Sequence, residues 1–154
     1  MLNKKILVIY PETNSTKIAV YKNINLEFLK TKRHSAEELN KFEDLPDQVN
    51  YRKDSIMAEL EDNGISMDDI RIIISRGGLV KPVKSGIYEV NEAMKKDLRE
   101  GIMGVHATNL GGLIADEIAK LLPEAKAYLA DPVVVDELQD IARITGHPLL
   151  ERKS

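Results

Sequence analysis

A run of hydroxyl-bearing and basic residues, from Thr13 to Lys17, follows the first apolar segment and has the composition of an anion-binding turn. Thr13 and Ser15 offer hydroxyl groups, a tight turn exposes backbone N–H groups, and Lys17 adds a positive charge. Phosphate is an anion that such donors suit. The same residue types are common in any β-hairpin turn, so the composition alone leaves both interpretations open.

Three further polar residues could act on an anionic substrate, namely Arg76, His106 and Asp131. Arg76 precedes Gly77 and Gly78, and glycine lets the backbone approach a carboxylate or phosphate that a planar guanidinium can hold. His106 precedes a helix, whose first N–H groups also attract anions. Asp131 ends a strand immediately before a proline. Such polar residues at strand ends are typical of ligand sites in open mixed sheets.

Each of these residues also has a plain structural interpretation. Arg76 can be a surface residue beside a turn, His106 a helix cap or a solvated loop residue, and Asp131 a routine turn residue. His34 and His147 lie in polar surroundings, and we predict that both are surface residues. No metal-ligating set is predicted.

The elements that must position these residues begin with a β-meander. Residues 5–10 and 17–21 are rich in β-branched side chains and flank the turn as two strands, and residues 25–32 alternate well enough to form a third. Ser35 and Glu38 have the spacing of a capping box for a short helix. Asp47 is predicted to cap a longer helix that reaches residue 63.

A second half with a different pattern follows. Three consecutive isoleucines in residues 71–75 predict a strand buried on both faces. Residues 87–90 predict an edge strand, and residues 127–130 a further strand. Helices are expected over residues 91–100 and 107–122, the second with a continuous apolar stripe.

Composition narrows the class of protein. The chain has 154 residues, which is the size of one domain, so we expect a single domain over 1–154. The net charge of −3 gives no general attraction to nucleic acid or anionic membranes. The absence of cysteine excludes disulfides and thiolate metal sites. The chain shows neither a membrane span nor a secretory signal, and we expect a cytoplasmic protein.

The order of elements favours an α/β fold whose mixed sheet opens with an antiparallel meander and is flanked by helices. A doubly wound nucleotide-binding fold would instead open with a strand–helix crossover. The order suits a ribonuclease-H-like lobe, the unit of actin-like ATPases.

Several stretches of the sequence resemble butyrate kinases of the acetate and butyrate kinase family. They include residues 6–21, 33–39 and 75–79, residues 86–94 and 106–112, and the segment 131–137. The similarity runs in order along the full length, and the chain ends where the first lobe of such a two-lobed kinase should end. The resemblance therefore implies the N-terminal lobe only.

The resemblance implies the reaction of ATP with butanoate to give ADP and butanoyl phosphate, with Mg²⁺ in the intact enzyme. Arg76 would hold the carboxylate or the transferring phosphoryl group, and His106 would donate hydrogen bonds to its oxygens. Asp131 would orient the reacting groups or metal-bound waters. Thr13, Ser15 and Lys17 would form the phosphate loop. The implied partners are a missing second lobe or further copies of the chain.

The first turn departs from the family pattern, which is Asn-Pro-Gly-Ser. This chain has Tyr10, Pro11, Glu12 and Thr13 instead. Tyr10 lacks the amide, and Glu12 adds a side chain and a negative charge beside the phosphates. Two functions therefore stay open. The chain is either the N-terminal lobe of a butyrate kinase, as a piece of the enzyme or as one subunit of a split enzyme, which is inactive alone and binds no nucleotide tightly, or a non-catalytic degenerate lobe that binds a protein partner or is an orphan fragment.

Overall fold

The computed structural model describes residues 4–133, 137–147 and 149–150. The strands are β1 (Lys5–Pro11), β2 (Ser15–Lys22), β3 (Asn25–Arg33), β4 (Ile70–Arg76), β5 (Ile87–Glu89) and β6 (Lys126–Ala130). The α-helices are α1 (Ala36–Leu39), α2 (Gln48–Asp62), α3 (Glu92–Glu100) and α4 (Asn109–Leu121). Short 3₁₀ turns cover Leu45–Asp47 and Asp140–Arg143.

All six strands form one mixed sheet in the order β3-β2-β1-β4-β6-β5. β1, β2 and β3 pair antiparallel, which confirms the predicted meander. β4 runs parallel to β1, with Ile72 opposite Ile6 and Ile74 opposite Val8, and β6 runs parallel to β4. β5 pairs antiparallel with β6 at the edge of the sheet. The loops that follow the parallel strands therefore meet at one end of the sheet.

One face of the sheet carries the hydrophobic core. Alternate strand residues turn toward helices α2 and α4 and are almost completely buried. On the strands these residues are Leu7, Ile9, Ile18, Val20, Ile73 and Leu129, and on the helices Ile56, Leu60, Leu110 and Ile114. Ile73 is buried, whereas Ile72 and Ile74 on the opposite face keep part of their exposure. The prediction of a strand buried on both faces is thus wrong for the part of the chain that the structure describes.

Helix α4 lies unusually close to β4. A Cβ atom added to Gly111 would stand 1.8 Å from the Ser75 hydroxyl oxygen and 2.7 Å from its Cβ. Only a residue without a side chain fits at this crossing. The Ser75 hydroxyl is itself buried and has no hydrogen-bond partner among the described residues. Gly111 therefore sets the distance between the start of α4 and the end of β4, where the candidate site lies.

Of the two helix caps predicted from the sequence, Ser35 and Asp47, the structure has the first, and Asn91 caps a third helix. The Ser35 side chain accepts from the Glu38 N–H, and the Ser35 N–H donates to the Glu38 carboxylate, so the predicted capping box is confirmed. Asn91 accepts from the N–H of Met94 at the start of α3. Asp47 does not cap α2, because its carboxylate accepts from the N–H of Asp44 in the preceding 3₁₀ turn.

Candidate functional site

A buried arginine, Arg52 on α2, donates hydrogen bonds to the backbone of the hairpin turn between β1 and β2. Arg52 Nη1 donates to the carbonyl oxygens of Glu12 at 2.8 Å and Ser15 at 2.9 Å, and Nη2 donates to that of Thr13 at 2.9 Å. Gln48, one turn earlier on α2, accepts from the same guanidinium. Arg52 thus satisfies the turn carbonyls of Glu12 and Thr13 and gives a second donor to that of Ser15, which also accepts from the Glu12 N–H.

These hydrogen bonds also decide which way the turn's amide groups point. In a trans peptide the carbonyl of one residue and the N–H of the next point in opposite directions, and the described residues contain no cis peptide. Because the carbonyls of Glu12 and Thr13 point at Arg52, the N–H groups of Thr13 and Asn14 point away from it. Outward N–H groups on successive residues form a concave anion-binding surface. Two successive N–H groups of the turn are thus directed away from Arg52.

The side chains of the turn are engaged by a residue of the turn itself. Ser15 Oγ donates to one carboxylate oxygen of Glu12 at 2.7 Å, and Lys17 Nζ donates to the other at 2.9 Å. Lys17 Nζ also stands 5.8 Å from the centre of the Tyr10 ring. The Ser15 hydroxyl and Lys17 hold the pKa of the Glu12 carboxyl below its ordinary value. Two of the predicted phosphate-loop side chains thus already hold a carboxylate.

A second buried residue, His34, supports the turn from the other side. The backbone N–H of His34 donates to the carbonyl oxygen of Asn14 at 2.8 Å. In its ring, Nε2 lies 2.9 Å from Thr16 Oγ1 and Nδ1 lies 3.2 Å from the Tyr51 hydroxyl. Burial and the nearby Arg52 charge lower the pKa of His34 to about 4. The prediction that His34 is a surface residue is therefore wrong, whereas His147 is exposed as expected.

Arg76 and Asp131 line one cleft of about 610 Å³ at the ends of the parallel strands. Arg76 ends β4 and Asp131 follows β6, so the parallel pairing of these strands brings the two residues to the same edge. Tyr10 and Thr108 also line this cleft. Gly77, at φ +90°, lets the loop after Arg76 approach Thr108.

Asp131 is held in a defined orientation by the loop before β5. Its Oδ1 accepts from the Ser85 hydroxyl at 2.8 Å and from the Gly86 N–H at 3.0 Å, and its own N–H donates to the Gly86 carbonyl. These hydrogen bonds, with a smaller contribution from the Arg76 charge, hold the pKa of the carboxyl below its ordinary value. Its backbone φ of +39° lies in the left-handed region, which Asp tolerates better than most residues. Asp131 is thus an oriented, ionised acceptor beside Arg76.

His106 lines a neighbouring pocket of about 780 Å³ together with Thr13 and Asn14. Its Nδ1 accepts from the Thr108 N–H at 3.2 Å, so the neutral ring carries its proton on Nε2. Nε2–H is therefore a donor in the neutral ring. Thr108, which also lies 3.0 Å from His106 Nδ1 through its hydroxyl, lines the Arg76 cleft. Arg76 and Asp131 thus line one pocket and His106 a second one, and the two pockets adjoin at the residues just before α4.

Arg52 and His34 are the residues that the sequence interpretation missed. For Arg52 a signal existed, because it occupies a position of the α2 stripe that otherwise contains the buried residues Val49, Ile56 and Leu60. A charged residue at such a position normally has partners. The contacts of His34 reach across the chain and leave no local pattern. Among the described residues no three His, Asp or Glu side chains cluster as a metal site, and no described helix is long and apolar enough to cross a membrane.

The folds of solved structures agree with this architecture. An acetate kinase from Entamoeba histolytica matches 95% of this chain and 41% of its own, with a TM-score of 0.55 and 14% identity. An acetate kinase from Porphyromonas gingivalis matches 83% of this chain with a TM-score of 0.52 and 16% identity, and covers 37% of its own length. These likenesses define the chain as a lobe with the actin-like ATPase fold.

Sequence comparison finds that this chain is similar to butyrate kinases. The chain is 47% identical over 150 residues to butyrate kinase 2 of Clostridium acetobutylicum. The matched region covers 97% of this chain and 42% of that protein. It is 51% identical over 148 residues to a probable butyrate kinase of Bacteroides thetaiotaomicron, covering 96% of this chain and 41% of that protein. No protein-family profile matches. The chain is therefore a relative of the butyrate kinases along nearly its whole length, and it spans about two fifths of theirs.

Proposed function

We propose that this chain forms one lobe of a butyrate kinase, the lobe that holds the carboxylate and the transferring phosphoryl group. The observation that carries the proposal is the cleft in which Arg76 and Asp131 meet, in a chain with 47% identity to a butyrate kinase. The reaction is phosphoryl transfer from ATP to butanoate, which needs positioning and charge neutralisation more than covalent chemistry from the protein.

Each candidate side chain has a role that its surroundings support. The Arg76 guanidinium neutralises and orients the carboxylate or the transferring phosphoryl group. His106 donates from Nε2 to a phosphoryl oxygen, and the Thr108 N–H keeps the proton on that nitrogen. Asp131, fixed by Ser85 and Gly86, orients the reacting groups. The outward amides of the hairpin turn, with Thr13, face the polyphosphate, and Ser15 and Lys17 would join them after release from the Glu12 carboxylate.

The donor set of the Arg76 cleft also fits Mg²⁺, which would accompany ATP and neutralise phosphate charge when bound. Asp131 and Glu137 both line the cleft. Mg²⁺ is typically held by one or two carboxylates and keeps several of its waters. These two carboxylates would hold the ion through their oxygens or through its waters.

We expect the chain alone to have no butyrate kinase turnover. ATP must be gripped on its base, ribose and phosphates, and water must be kept away by closing a second lobe over the site. The test is coupled ADP release with butanoate and MgATP, first with this chain alone. It is then repeated with an added polypeptide that covers the part of the Bacteroides thetaiotaomicron relative unmatched by this chain. Turnover should appear only in the mixture.

Substitutions of Arg76 and Asp131 test whether the activity depends on the proposed site. Arg76→Met and Asp131→Asn should each abolish turnover of the mixture, whereas the control Arg99→Met, on the exposed side of α3, should not change it. Turnover by the chain alone would contradict the proposal.

The contact of Glu12 with Ser15 and Lys17 favours the second candidate, a degenerate lobe that serves as a protein-binding module. Turnover of the mixture only after Tyr10→Asn and Glu12→Gly would support that reading.

A further inference from the structure

Two residues of the hairpin turn depart from the family pattern, and both contact the same lysine. Glu12 stands where the pattern has glycine, and its Oε1 accepts a hydrogen bond from Lys17 Nζ at 2.9 Å. Tyr10 stands where the pattern has asparagine, and the centre of its ring lies 5.8 Å from the same nitrogen, within the range of a cation–π contact. The two departures therefore act together on Lys17.

The Glu12 carboxylate occupies a position that suits a free oxyanion. Ser15 Oγ donates to its Oε2 at 2.7 Å while Lys17 Nζ donates to its Oε1, so each oxygen has its own donor. A phosphoryl group presents pairs of oxygens in a similar way, and the same two donors can hold it. Ser15 is buried, so its hydroxyl requires a hydrogen-bond partner. We call Ser15 Oγ and Lys17 Nζ together the anion seat.

Glu12 is a tethered ligand of this anion seat. It lies three residues before Ser15 and five before Lys17, in a turn whose carbonyls accept from Arg52. A ligand tethered by a short segment acts at an effective concentration that is roughly millimolar. The ion pair is nevertheless accessible, because 50% of the Lys17 side chain and 36% of the Glu12 side chain are exposed to solvent. An exposed ion pair is weak, so a stronger anion can displace the carboxylate.

We propose that Glu12 and Tyr10 form an internal cap that decides which anions enter the turn: a polyanion displaces the Glu12 carboxylate from the anion seat, and a singly charged carboxylate does not. The inference rests on the proposed function, because it concerns the turn assigned to the polyphosphate. A free carboxylate such as butanoate would only exchange one carboxylate for another and would lose the tether. A polyphosphate brings more charge and more oxygens, some of which reach the outward amides of Thr13 and Asn14.

The internal cap would separate the two anions of the proposed reaction. Tyr10 lines the Arg76 cleft and also contacts Lys17, so it borders both the cleft and the anion seat. Butanoate, refused by the anion seat, is left to the Arg76 guanidinium, and the turn opens only for the phosphates. Tyr10 and Glu12 are thus specificity determinants, which act by rejecting the wrong anion from the turn.

Isothermal titration calorimetry of the chain alone with tripolyphosphate tests the internal cap. The double variant Tyr10→Asn/Glu12→Gly should bind tripolyphosphate about tenfold more tightly than the parent, because the anion seat no longer has to be vacated. Glu12→Gln, which keeps the shape of the side chain and the backbone of the turn, should give a severalfold gain on its own. The control Glu124→Gly removes an exposed carboxylate before β6, at the other end of the sheet, where a φ of +57° suits glycine. It should change the affinity less than about twofold.

Two further titrations locate the effect in the anion seat. Lys17→Met should cost the double variant at least about threefold more affinity than it costs the parent, because Glu12 already occupies Lys17 in the parent. Excess butanoate at constant ionic strength should leave tripolyphosphate binding by the parent unchanged. The same butanoate should weaken binding by the double variant, whose anion seat then accepts a carboxylate. Circular dichroism checks that each variant is folded.

Any of three results would overturn the inference: an affinity of both Glu12 variants no higher than that of the parent, an equal cost of Lys17→Met in the two backgrounds, or competition by butanoate in the parent. The outcome is separable from that of the proposed function, because no turnover is measured. Tighter binding by the double variant without turnover of the mixture would keep this inference and count against the kinase. Turnover of the mixture with equal costs of Lys17→Met would do the reverse.

Discussion

Replacing Arg52 by methionine should strongly destabilise the protein, although Arg52 lines neither of the two pockets of the candidate site. The guanidinium is fully buried and donates to the carbonyl oxygens of Glu12, Thr13 and Ser15 and to the Gln48 side chain. A hydrogen bond from a charged group contributes about 1.5–3 kcal/mol, and a buried carbonyl that loses its partner costs about 1–3 kcal/mol.

The net loss of stability is smaller than the sum of these contributions, because folding of the methionine variant no longer requires the burial of a charge. We therefore expect the free energy of unfolding to fall by about 3–5 kcal/mol, near the upper end for single substitutions. With a urea m-value of about 2 kcal/mol/M, the midpoint of unfolding should fall by roughly 2 M at an unchanged slope.

Urea unfolding followed by circular dichroism measures this change. Arg52→Lys should lose less, since an ammonium can reach some of the carbonyls but lacks the planar fork. Arg99→Met, which removes an exposed arginine of α3, is the matched control and should have little effect. A loss below about 1 kcal/mol for Arg52→Met would refute the reasoning, because it would mean that water satisfies the turn carbonyls equally well.

Three further predictions follow from the same contacts. Glu12→Gln should raise the affinity for tripolyphosphate severalfold in calorimetric titration, because it removes the negative charge that Ser15 and Lys17 now hold; unchanged affinity would contradict this. The free energy of unfolding should fall by up to about 3 kcal/mol as the pH drops from about 6.5 to about 4, because the unfolded state takes up a proton that buried His34 refuses. Urea titrations at pH 7, 6 and 5 check this, and His34→Gln should flatten the slope above pH 5. Gly111→Ala should lower the thermal midpoint through its collision with Ser75, whereas Ser75→Ala should not; a stable Gly111→Ala protein would show that α4 can move.

The fold could be predicted because its determinants are local. The β-branched apolar runs in residues 5–10 and 17–21, with a polar turn between them, specify a hairpin, and the isoleucine run specifies an inner strand. These patterns fix the faces of the strands. They do not say which faces another layer covers, and so the coverage of Ile72 and Ile74 was predicted wrongly.

The candidate site could be predicted only in part, for a physical reason. Arg76 and Asp131 follow parallel strands, and such ends must lie at one edge, so their meeting in one cleft follows from topology. The support of the hairpin turn comes instead from Arg52, which is 40 positions from Glu12 in the chain. A contact between residues so distant in sequence has no periodicity that reveals it.

The contacts also show that the residues of the candidate site are held in place from within this chain. The turn is held by Arg52 and His34, which both belong to this lobe, so its amide groups keep their direction without a partner. Asp131 is likewise oriented by Ser85 from within the chain. The cleft lined by Arg76 and Asp131 is open to solvent in the structure. If the proposed function holds, orientation of the anion-binding groups and exclusion of water are therefore separate tasks, and the part of a butyrate kinase that this chain does not match would supply the second of them together with the grip on the nucleotide.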